Sequence, residues 1–594
     1  MQRRNVLKGL AAVMALPPIG SAIAAPLARR VRPGDPGWPT AQEWQSLRAQ
    51  VGGNLIAVEP LFGACGTDPR GTACRDTVDN IHNPFFIGDQ AAGTQTSGWL
   101  DAWMSAPSVY AVKARDATAV AAAVNFARAH NLRLAVKGGG HSYQGTSNAA
   151  DSLLIWTRAM NDVTLHPAFV GAGCEGKIKP EPAVSAGSGA MWIDLYHAVT
   201  TEAGRYVQGG GCTNVGVAGL VQSGGFGSFS KGFGTAASGL LEAEIVTADG
   251  RTLITNPCQN SDLFWALKGG GGGSWGVVTR LTLRTHDMPS HFGAAWGRIK
   301  ARSDAAFVKL LARFFNFYAG NLLNPHWGEQ VAIMPDNSLK ISMVCQGLDE
   351  GDVQSAWRPF FDWVAASGED FDIVDPLRAR ATDARHWWDV KENPSMTPDR
   401  REGAPNYHGW WNGDAEQVGF YLHGYDSLWL PLSLLREQDG RVLVQALFSG
   451  SRFKTIGLHF NKGLAGAPPE VIAAAKDTAT NPSVTEAFAL AIIADGEAPA
   501  FPGEPRAPID RNRAHQNARA IAKAAGSLRK IVLQPGSYVS ESNYFNRDWQ
   551  SEYWGSNHPR LAAIKAKYDP DGLFIVHHGV GSEDWSDDGF TRRA

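Results

Sequence analysis

The sequence has almost no excess charge of either sign. Lysine plus arginine number 55 and aspartate plus glutamate 57 among 594 residues, which gives a net charge of −2. A nucleic-acid-binding chain usually shows a basic excess or patch, so this balance argues against a nucleic-acid partner. Internal repeats are also missing, and the 66 glycines follow no collagen period. The length allows several globular domains.

Long hydrophobic runs are missing as well. The apolar stretch at residues 9–25 is too short to span a bilayer and is broken by two prolines. It follows Arg3-Arg4 and ends in Ala22-Ile23-Ala24, the pattern of a twin-arginine signal peptide with a small-residue cleavage site. We therefore expect residues 1–25 to direct export to the periplasm or the outside of the cell, with no membrane span.

Cysteine is scarce, with six residues in the chain. An oxidising destination permits disulfides, and Cys65 and Cys74 enclose a short loop that suits a bridge. Cys174 and Cys258 could form a second pair, although sequence alone does not fix connectivity. Cys345 lies in an alternating pattern that predicts a half-buried strand with an inert thiol.

The mixture of helix and strand patterns predicts an α+β fold with several parts. Asp116 is a good cap for a helix, and residues 132–136 read as a short strand that runs straight into glycines. Asp249-Gly250 between two apolar runs predicts a hairpin. The expected divisions are an irregular Pro/Gly-rich N-terminal arm at 26–102, a glycine-rich domain at 103–287, a second domain at 288–530 and a C-terminal segment at 531–594.

Three glycine clusters could hold a ligand. The third, Gly269–Gly276, contains formal matches to a dinucleotide-binding motif and to a serine-hydrolase motif. Both motifs need a strand, a turn and then a helix, whereas residues 262–268 read as a helix and residues 277–284 as a strand. The reversed order argues against both functions and predicts a tight turn.

The other two clusters carry residues that can do chemistry. In the first, Lys137-Gly138-Gly139-Gly140-His141-Ser142, consecutive small residues let backbone N–H groups converge on an anion such as a pyrophosphate. In the second, at residues 209–219, Cys212 stands among glycines, where a nucleophilic sulfur can approach a planar ligand closely.

Together these clusters resemble the flavin-binding segments of the berberine-bridge-enzyme-like proteins in the vanillyl-alcohol oxidase superfamily. Residues 553–557 (Tyr-Trp-Gly-Ser-Asn) and 567–570 (Lys-Tyr-Asp-Pro) add a C-terminal match. In that family the GGGH histidine bonds the flavin 8α-methyl carbon, and a cysteine ahead of the second glycine run bonds ring carbon C6. The matching positions are His141 and Cys212, so the resemblance implies FAD held by two covalent bonds.

The resemblance also implies an architecture and a set of contacts. The expected fold is a two-part FAD-binding domain of the PCMH type (103–287), with an inserted α+β substrate domain built on an antiparallel sheet (288–530) and a C-terminal segment that returns to the FAD domain. No metal is expected. The expected cofactor-binding residues are Lys137, Gly138, Gly139, Gly140, His141, Ser142, Gly145, Ser147, Gly211, Cys212, Val215, Gly216, Gly219, Gly224, Val246 and Tyr544.

The implied reaction is hydride removal from a CH–OH carbon of a small alcohol or sugar to the flavin, with a general base taking the hydroxyl proton. In the family, valine three residues after the cysteine favours access of O2, so Val215 predicts an oxidase. The family's Y-x-N-Y segment aligns with residues 538–541. This alignment leaves Tyr538 or Glu541 as the base, and His459 is a third candidate on a predicted strand.

Two alternatives remain open at this stage. One is a flavin dehydrogenase that uses another electron acceptor, with Val215 serving only for packing. The other is a non-catalytic flavin- or carbohydrate-binding protein, because Ser540 and Glu541 replace residues of the family's active-site segment. The sequence does not name the substrate, since fold and cofactor motifs do not encode it.

Overall fold

The computed structural model describes residues 29–436 and 440–593, so the predicted signal peptide lies outside the described residues. The described chain mixes helices and sheets, as an α+β fold requires. In chain order the α-helices are α1 Ala41–Gln50, α2 Gly63–Thr67, α3 Thr72–Asn80, α4 Pro84–Gly88, α5 Ala117–Ala129, α6 Trp192–Tyr196, α7 Val217–Gln222, α8 Ser230–Phe233, α9 Ser261–Leu267, α10 Asp304–Phe317, α11 Glu350–Ala366, α12 Ser433–Arg436, α13 Arg441–Ser451, α14 Pro469–Lys476, α15 Arg511–Arg529, α16 Trp549–Trp554 and α17 His558–Tyr568.

The strands fall into sheets of different size. In chain order they are β1 Leu55–Ala57, β2 Thr96–Trp99, β3 Trp103–Met104, β4 Tyr110–Lys113, β5 Arg133–Lys137, β6 Ser152–Trp156, β7 Val163–Phe169, β8 Glu181–Gly187, β9 Arg205–Val207, β10 Leu240–Val246, β11 Thr252–Thr255, β12 Val277–Asp287, β13 His291–Ala301, β14 Trp327–Ile333, β15 Ser338–Gln346, β16 Phe371–Asp383, β17 Met396–Pro398, β18 Gly409–Trp411, β19 Gly419–Pro431, β20 Ile456–His459 and β21 Ala487–Glu497.

Two smaller sheets carry the glycine-rich domain. The first has the order β1-β4-β6-β5, and its strands β4, β6 and β5 run parallel, so the glycine cluster after β5 starts at the carboxyl edge of this sheet. The second runs β11-β10-β12-β8-β7 with β9 on β12, and its pairs are antiparallel. The helix α5 packs against the first sheet, and its N-cap Asp116 accepts a hydrogen bond of 2.8 Å from the Ala119 N–H.

A nine-stranded sheet forms the second domain, in the order β16-β13-β15-β14-β20-β21-β19-β2-β3. Its pairs are antiparallel apart from β19 and β2, and the helices α10, α11, α13 and α15 cover one face around a large apolar core. The antiparallel substrate domain implied by the family resemblance is therefore present.

The C-terminal segment returns to the glycine-rich domain. The Trp554 indole donates a hydrogen bond of 3.1 Å to the Gly269 carbonyl. The buried Lys565 ammonium donates to the Ser274 carbonyl at 2.7 Å and to the carboxylate of Asp569 at 2.6 Å. These contacts close the two-part FAD-binding domain that the resemblance implies.

The prediction of an irregular N-terminal arm is wrong. Thr40 and Glu43 form a reciprocal capping box at the start of α1, and β1 joins the first sheet. Strands β2 and β3 extend the nine-stranded sheet beside β19. The regular structure depends on these long-range partners, which the local Pro/Gly content does not reveal.

Both suspected disulfides are present, Cys65–Cys74 between α2 and α3 and Cys174–Cys258 across the second sheet. Among the described residues two cysteines are free, the buried Cys345 on β15 and the half-buried Cys212. Burial raises the pKa of the Cys345 thiol to about 12, which agrees with the predicted inert role.

Candidate cofactor cleft and active site

A cleft of about 320 Å³ lies where the glycine-rich domain, the second domain and the C-terminal segment meet. This volume is in the usual range for small-molecule and cofactor sites. Ten of its lining residues are glycines, one of them Gly579. The other nine come from the three glycine clusters, and we call them the glycine wall: Gly138, Gly139, Gly140, Gly216, Gly219, Gly271, Gly272, Gly273 and Gly276.

The first two glycine clusters touch each other through their backbones. A Cβ on Gly139 would lie 2.9 Å from the amide nitrogen of Gly216, and a Cβ on Gly216 would lie 3.0 Å from the amide nitrogen of Gly139. Side chains are therefore excluded at this crossing, and Gly138 is similarly close to the Ser188 carbonyl oxygen. This close approach places His141 and Cys212 in the lining of a single cleft, although 71 residues separate them in the sequence.

His141 is half-buried at the end of the first cluster. Its Nε2 lies 2.6 Å from the side-chain amide nitrogen of Asn214, so one ring nitrogen is held by the second cluster. Burial lowers the pKa of His141 to about 4, although the Asn214 contact opposes the shift. The imidazole is therefore neutral at physiological pH, which is the nucleophilic form.

Cys212 faces acidic groups. Its thiol donates a hydrogen bond to Asp414 Oδ1 across 3.7 Å. Burial, together with Asp414 and Glu329, raises the pKa of the Cys212 thiol well above its usual range. Burial also raises the pKa of Asp414 to about 6, helped by the nearby Glu329. The sulfur is therefore a thiol rather than a thiolate at neutral pH.

A further acid, Glu541, lines the cleft. Glu541 accepts a hydrogen bond from the Lys462 ammonium, and the segment that carries Glu541 rests on β19, because the Ser427 hydroxyl donates to the Glu541 carbonyl. We call Cys212, Glu329, Asp414, Lys462 and Glu541 the charged cluster.

Tyrosines complete this side of the cleft. Tyr538 meets Phe226 edge to face with ring centroids 5.0 Å apart, and Tyr143 lies 5.2 Å from Tyr425. Burial, with the Glu541 carboxylate next in importance, raises the pKa values of all three tyrosines. Their hydroxyl groups therefore stay protonated, so Tyr538 is a poor choice for a base and a good hydrogen-bond donor.

Most of the predicted site residues line the cleft. Of the catalytic candidates, Tyr538 and Glu541 line it. Of the predicted cofactor-binding residues, those that line it are Lys137, Gly138, Gly139, Gly140, His141, Ser142, Ser147, Cys212, Val215, Gly216 and Gly219. The Lys137 ammonium, however, donates to the carbonyls of Gln90, Ala91 and Gly93, so it anchors the N-terminal arm.

His459 is not among the residues that line the cleft, so its position does not support the predicted catalytic role, which stays a prediction. Ile456 and Leu458 point from β20 into the core of the second domain, so His459 lies on the other face of this short strand. Its ring is packed near Gly457, with Nε2 3.5 Å from the position of a Cβ there. Burial lowers its pKa well below the usual value. These features describe a structural histidine.

The other five predicted cofactor-binding residues do not line the cleft themselves. Gly145 packs under the Trp103 ring, and Gly224 packs against Thr480, both with positive φ. The Gly211 carbonyl accepts the Trp411 indole N–H at 3.0 Å. The remaining two residues contact side chains or backbone that line the cleft. The Val246 carbonyl lies against Gly276, and Tyr544 stacks on the cleft residue His577 at 3.7 Å.

The sequence reasoning missed several residues of this site. The third glycine cluster is a turn, as predicted, but four of its glycines also line the cleft. Residues 575–579 line it too. The acids Asp414 and Glu329 had no local signal, although Glu329 has the unusual φ of 59° on β14. Strain of this kind clusters at functional sites but is invisible in a sequence.

The residues present fit a flavin dinucleotide. The Ser188 hydroxyl oxygen and the side-chain carbonyl oxygens of Gln144 and Gln222 are buried, line the cleft and have no hydrogen-bond partner among the described residues. Buried polar atoms of this kind call for a polar ligand. Gly219 at the start of α7 has open space where a Cβ would stand. A glycine-walled cleft whose buried polar groups lack partners among the described residues is typical of the FAD-binding oxidoreductases.

Comparisons with known proteins agree with this class. A family model described as FAD binding domain matches residues 108–256, and one described as Berberine and berberine like matches residues 529–581. The VAO-type flavoprotein oxidase VAO615 of Thermothelomyces thermophilus is 29% identical over 605 residues, covering 95% of this chain and 94% of the relative.

Solved structures share the fold. The VAO-type flavoprotein MtVAO615 from Myceliophthora thermophila C1 superposes with a TM-score of 0.77 at 25% identity, covering 96% of this chain and all of that one. Glucooligosaccharide oxidase from Acremonium strictum gives a TM-score of 0.64 at 18% identity, covering 90% of this chain and 99% of that one. The chain carries an FAD-binding domain and a berberine-like segment, shares the fold of a VAO-type flavoprotein, and is an FAD-linked oxidoreductase.

Neither a metal site nor a membrane span is evident in the part of the chain that the structure describes. No group of three or more His, Cys, Asp or Glu side chains there could hold a metal ion. No described helix combines the length and the apolar character needed to cross a bilayer.

Proposed function

We propose that the protein is an exported oxidase that takes a hydride from a CH–OH carbon of an alcohol or sugar and passes the electrons to O2, forming H2O2. The observation that carries this proposal is the placement of His141 and Cys212 in the lining of one glycine-walled cleft. The relative VAO615 is named an oxidase, which supports the choice of O2 as acceptor.

We propose that FAD is bonded to both His141 and Cys212. The glucooligosaccharide oxidase that shares the fold is described as carrying 6-S-cysteinyl, 8α-N1-histidyl FAD. In this chain Asn214 occupies Nε2 of His141, which leaves Nδ1 to form the histidyl bond. The glycine wall would hold the dinucleotide, and Ser188, Gln144 and Gln222 would satisfy its polar groups.

When bound, FAD supplies the two-electron chemistry by accepting the hydride and reducing O2. Glu541 and two tyrosines prepare the substrate. Glu541, which accepts a hydrogen bond from the Lys462 ammonium, takes the hydroxyl proton. The hydroxyl groups of Tyr538 and Tyr143 stay protonated and orient the substrate oxygen by hydrogen bonding.

Val215 is the proposed opening for O2. It lines the cleft three residues after Cys212 and one residue before the crossing with the first cluster. Its position is rigid, because the Trp192 amide donates to the Val215 carbonyl at 3.0 Å. A β-branched side chain of this size leaves more room beside the flavin than leucine would.

Export and domain roles are part of the proposal. The twin-arginine pattern at the N-terminus supports export to the periplasm or beyond, and the two disulfides are compatible with an oxidising destination. We assign cofactor binding to residues 103–287 and 531–594, and substrate binding to residues 288–530. A small polar substrate suits a cleft bordered by acids and tyrosines.

Mass spectrometry of the yellow full-length protein and its tryptic peptides tests the cofactor assignment. The expected result is a flavin-sized increment that links the His141 and Cys212 peptides. Oxygen consumption and H2O2 release with a panel of sugars and alcohols test the reaction. Flavin that is bleached by substrate but ignores O2 would identify a dehydrogenase, and flavin that no substrate in the panel bleaches would favour a binding protein.

A further inference from the structure

Cys212 is held beside an acid by a separate part of the chain. The short hairpin of β17 and β18 lies against the second glycine cluster and contacts the residues on both sides of the cysteine. The Thr213 hydroxyl donates to the Gly409 carbonyl at 2.6 Å, and the Trp411 indole donates to the Gly211 carbonyl at 3.0 Å. The hairpin is therefore fixed to the backbone immediately before and after the sulfur.

The turn after this hairpin carries Asp414. Its amide donates to the Trp411 carbonyl at 2.8 Å, which fixes the turn, and its Oδ1 accepts the thiol hydrogen bond from Cys212 across 3.7 Å. The second oxygen, Oδ2, is buried and has no partner among the described residues. A nucleophile in contact with an acid that is itself positioned by a third group is the usual arrangement for activating a nucleophile.

We propose that Asp414 is the base that removes the proton from Cys212 when the sulfur bonds to FAD, so that the hairpin turn catalyses the cysteinyl attachment. This inference rests on the proposed binding of FAD to Cys212. It assigns Asp414 to cofactor attachment and leaves Glu541 as the base for the substrate.

The step balances with O2 as the oxidant. The S–H bond breaks and its proton passes to the Asp414 carboxylate, while the sulfur electron pair forms the S–C bond to the ring carbon. The ring C–H bond then breaks and its proton goes to solvent, and its electron pair stays in the ring system, so FAD ends two electrons reduced. Dioxygen, the acceptor in the proposed reaction, takes these electrons and forms H2O2.

Other groups near the sulfur are less suited to this task. Glu329 accepts a hydrogen bond from the Ser228 hydroxyl and lies beside Gly211 rather than against the thiol. Glu541 is paired with Lys462. The high pKa of the Cys212 thiol means that little thiolate is present beforehand, so the reaction needs a base in place when the sulfur attacks.

The variant Asp414→Asn tests the inference, because the amide keeps the shape and cannot take the proton. Full-length protein made in riboflavin-limited cells is mixed with FAD in air, and linkage to the Cys212 peptide is followed by mass spectrometry. We expect the rate of cysteinyl attachment to fall by about 10²-fold or more in the variant. The His141 linkage should form normally, and Cys212 should remain open to alkylation.

Two further variants show whether a slow attachment in Asp414→Asn comes from the lost carboxylate or from a general disturbance of the turn. Glu416→Gln removes the same charge from an exposed side chain two residues away. In this variant the flavin should attach to Cys212 at the wild-type rate. Asp414→Glu should recover part of the lost rate, since it restores a carboxylate. Recovery by glutamate together with failure of asparagine would not follow from a purely structural role.

The wild-type protein provides a test that needs no variant. Attachment should accelerate as Asp414 loses its proton near pH 6 and then level off. Reaction of free thiolate would instead keep rising to the much higher pKa of Cys212. The titratable or charged groups around this pair are Glu329, Lys462, Tyr143 and Tyr196, and the tyrosines stay protonated throughout this pH range.

The outcomes separate this inference from the proposed function. Wild-type protein without flavin on Cys212 would refute the proposed double linkage itself. Wild-type double linkage together with normal attachment in Asp414→Asn would overturn only the inference. If that variant is fully linked but is not bleached by substrate, Asp414 acts on the substrate instead and the inference is equally overturned.

Discussion

The two sides of the cleft are built in different ways. The glycine wall is made of backbone, and its glycines come from three short runs whose form is set by the lack of side chains. The charged cluster is made of side chains from five distant places: the second glycine cluster, β14, the segments after β18 and after β20, and the C-terminal segment. The first side is a cradle that would hold any dinucleotide of the right shape, and the second side decides the chemistry.

Because of this difference, the two sides should respond differently to amino-acid substitutions. A change in the glycine wall should affect cofactor content and folding together, because the crossing of Gly139 and Gly216 is a packing contact. A change in the charged cluster should leave the fold intact and alter one chemical step, either cofactor attachment for Cys212 and Asp414 or substrate oxidation for Glu541. Variants on each side therefore test whether the glycine wall and the charged cluster have these separate roles.

The largest effect is expected for Glu541→Gln. The amide cannot accept the substrate proton, so flavin bleaching by an active sugar or alcohol should slow by about 10²–10⁴-fold. Anaerobic stopped-flow absorbance measures this rate, and covalent flavin content should stay normal. The control Glu416→Gln changes the same charge at an exposed site. Bleaching of Glu541→Gln at the wild-type rate would remove Glu541 from the mechanism.

Gly216→Ala should disturb the packing of the glycine wall. Its methyl group would stand 3.0 Å from the backbone nitrogen of Gly139, and backbone cannot move aside as a flexible side chain can. We expect a loss of about 1–3 kcal/mol in the free energy of unfolding, with reduced flavin content. Denaturant unfolding and the visible spectrum measure both quantities.

Gly239→Ala is the matched control for this substitution. A Cβ there meets nothing within 4 Å, and the residue does not line the cleft. Its stability and flavin content should match the wild-type values. A Gly216→Ala protein with full flavin and unchanged stability would show that the two glycine clusters are less tightly joined than the backbone contact indicates.

The sequence predicted the glycine wall because its signal is local. Consecutive glycines after a strand, an aspartate cap before α5 and a turn pair between β10 and β11 each determine the structure of their own neighbourhood. His141 and Cys212 could be singled out since they stand inside such runs. Even the third cluster was correctly described as a turn, although its place in the cleft depends on how distant segments pack.

The charged cluster could be predicted only in part. Glu541 and Tyr538 were found through an alignment to a family segment, whereas Asp414 lies 202 residues from Cys212 and has no motif of its own. Its place depends on the hairpin contacts to Gly211 and Thr213. The role of His459 could not be predicted for a related reason. Alternation along a strand reveals two faces but does not tell which of them borders a cleft.

Val215→Leu should change the reaction with O2 more than any other property. The larger side chain would fill space beside the cofactor, so we expect reoxidation to slow at least about tenfold, equal to about 1.4 kcal/mol of barrier. Reducing the flavin with light and then mixing with O2 measures the step without a substrate. Val215→Ala should react as fast as wild type or faster. Equal rates for all three proteins would make Val215 a packing residue.

The smallest effect is expected for His459→Ala. This variant tests whether the active site extends from Lys462 to β20. His459 lies close to Lys462 in the sequence, yet its ring packs near Gly457 on the face of β20 away from the core and outside the cleft lining. Because the buried ring is neutral, its removal changes no charge next to Lys462. We expect flavin content and bleaching rate to change by less than about twofold, with a stability loss of about 1 kcal/mol. A loss of bleaching with normal flavin content would mean that substrate reaches β20, and the active site would then extend across the sheet beyond the Lys462–Glu541 pair.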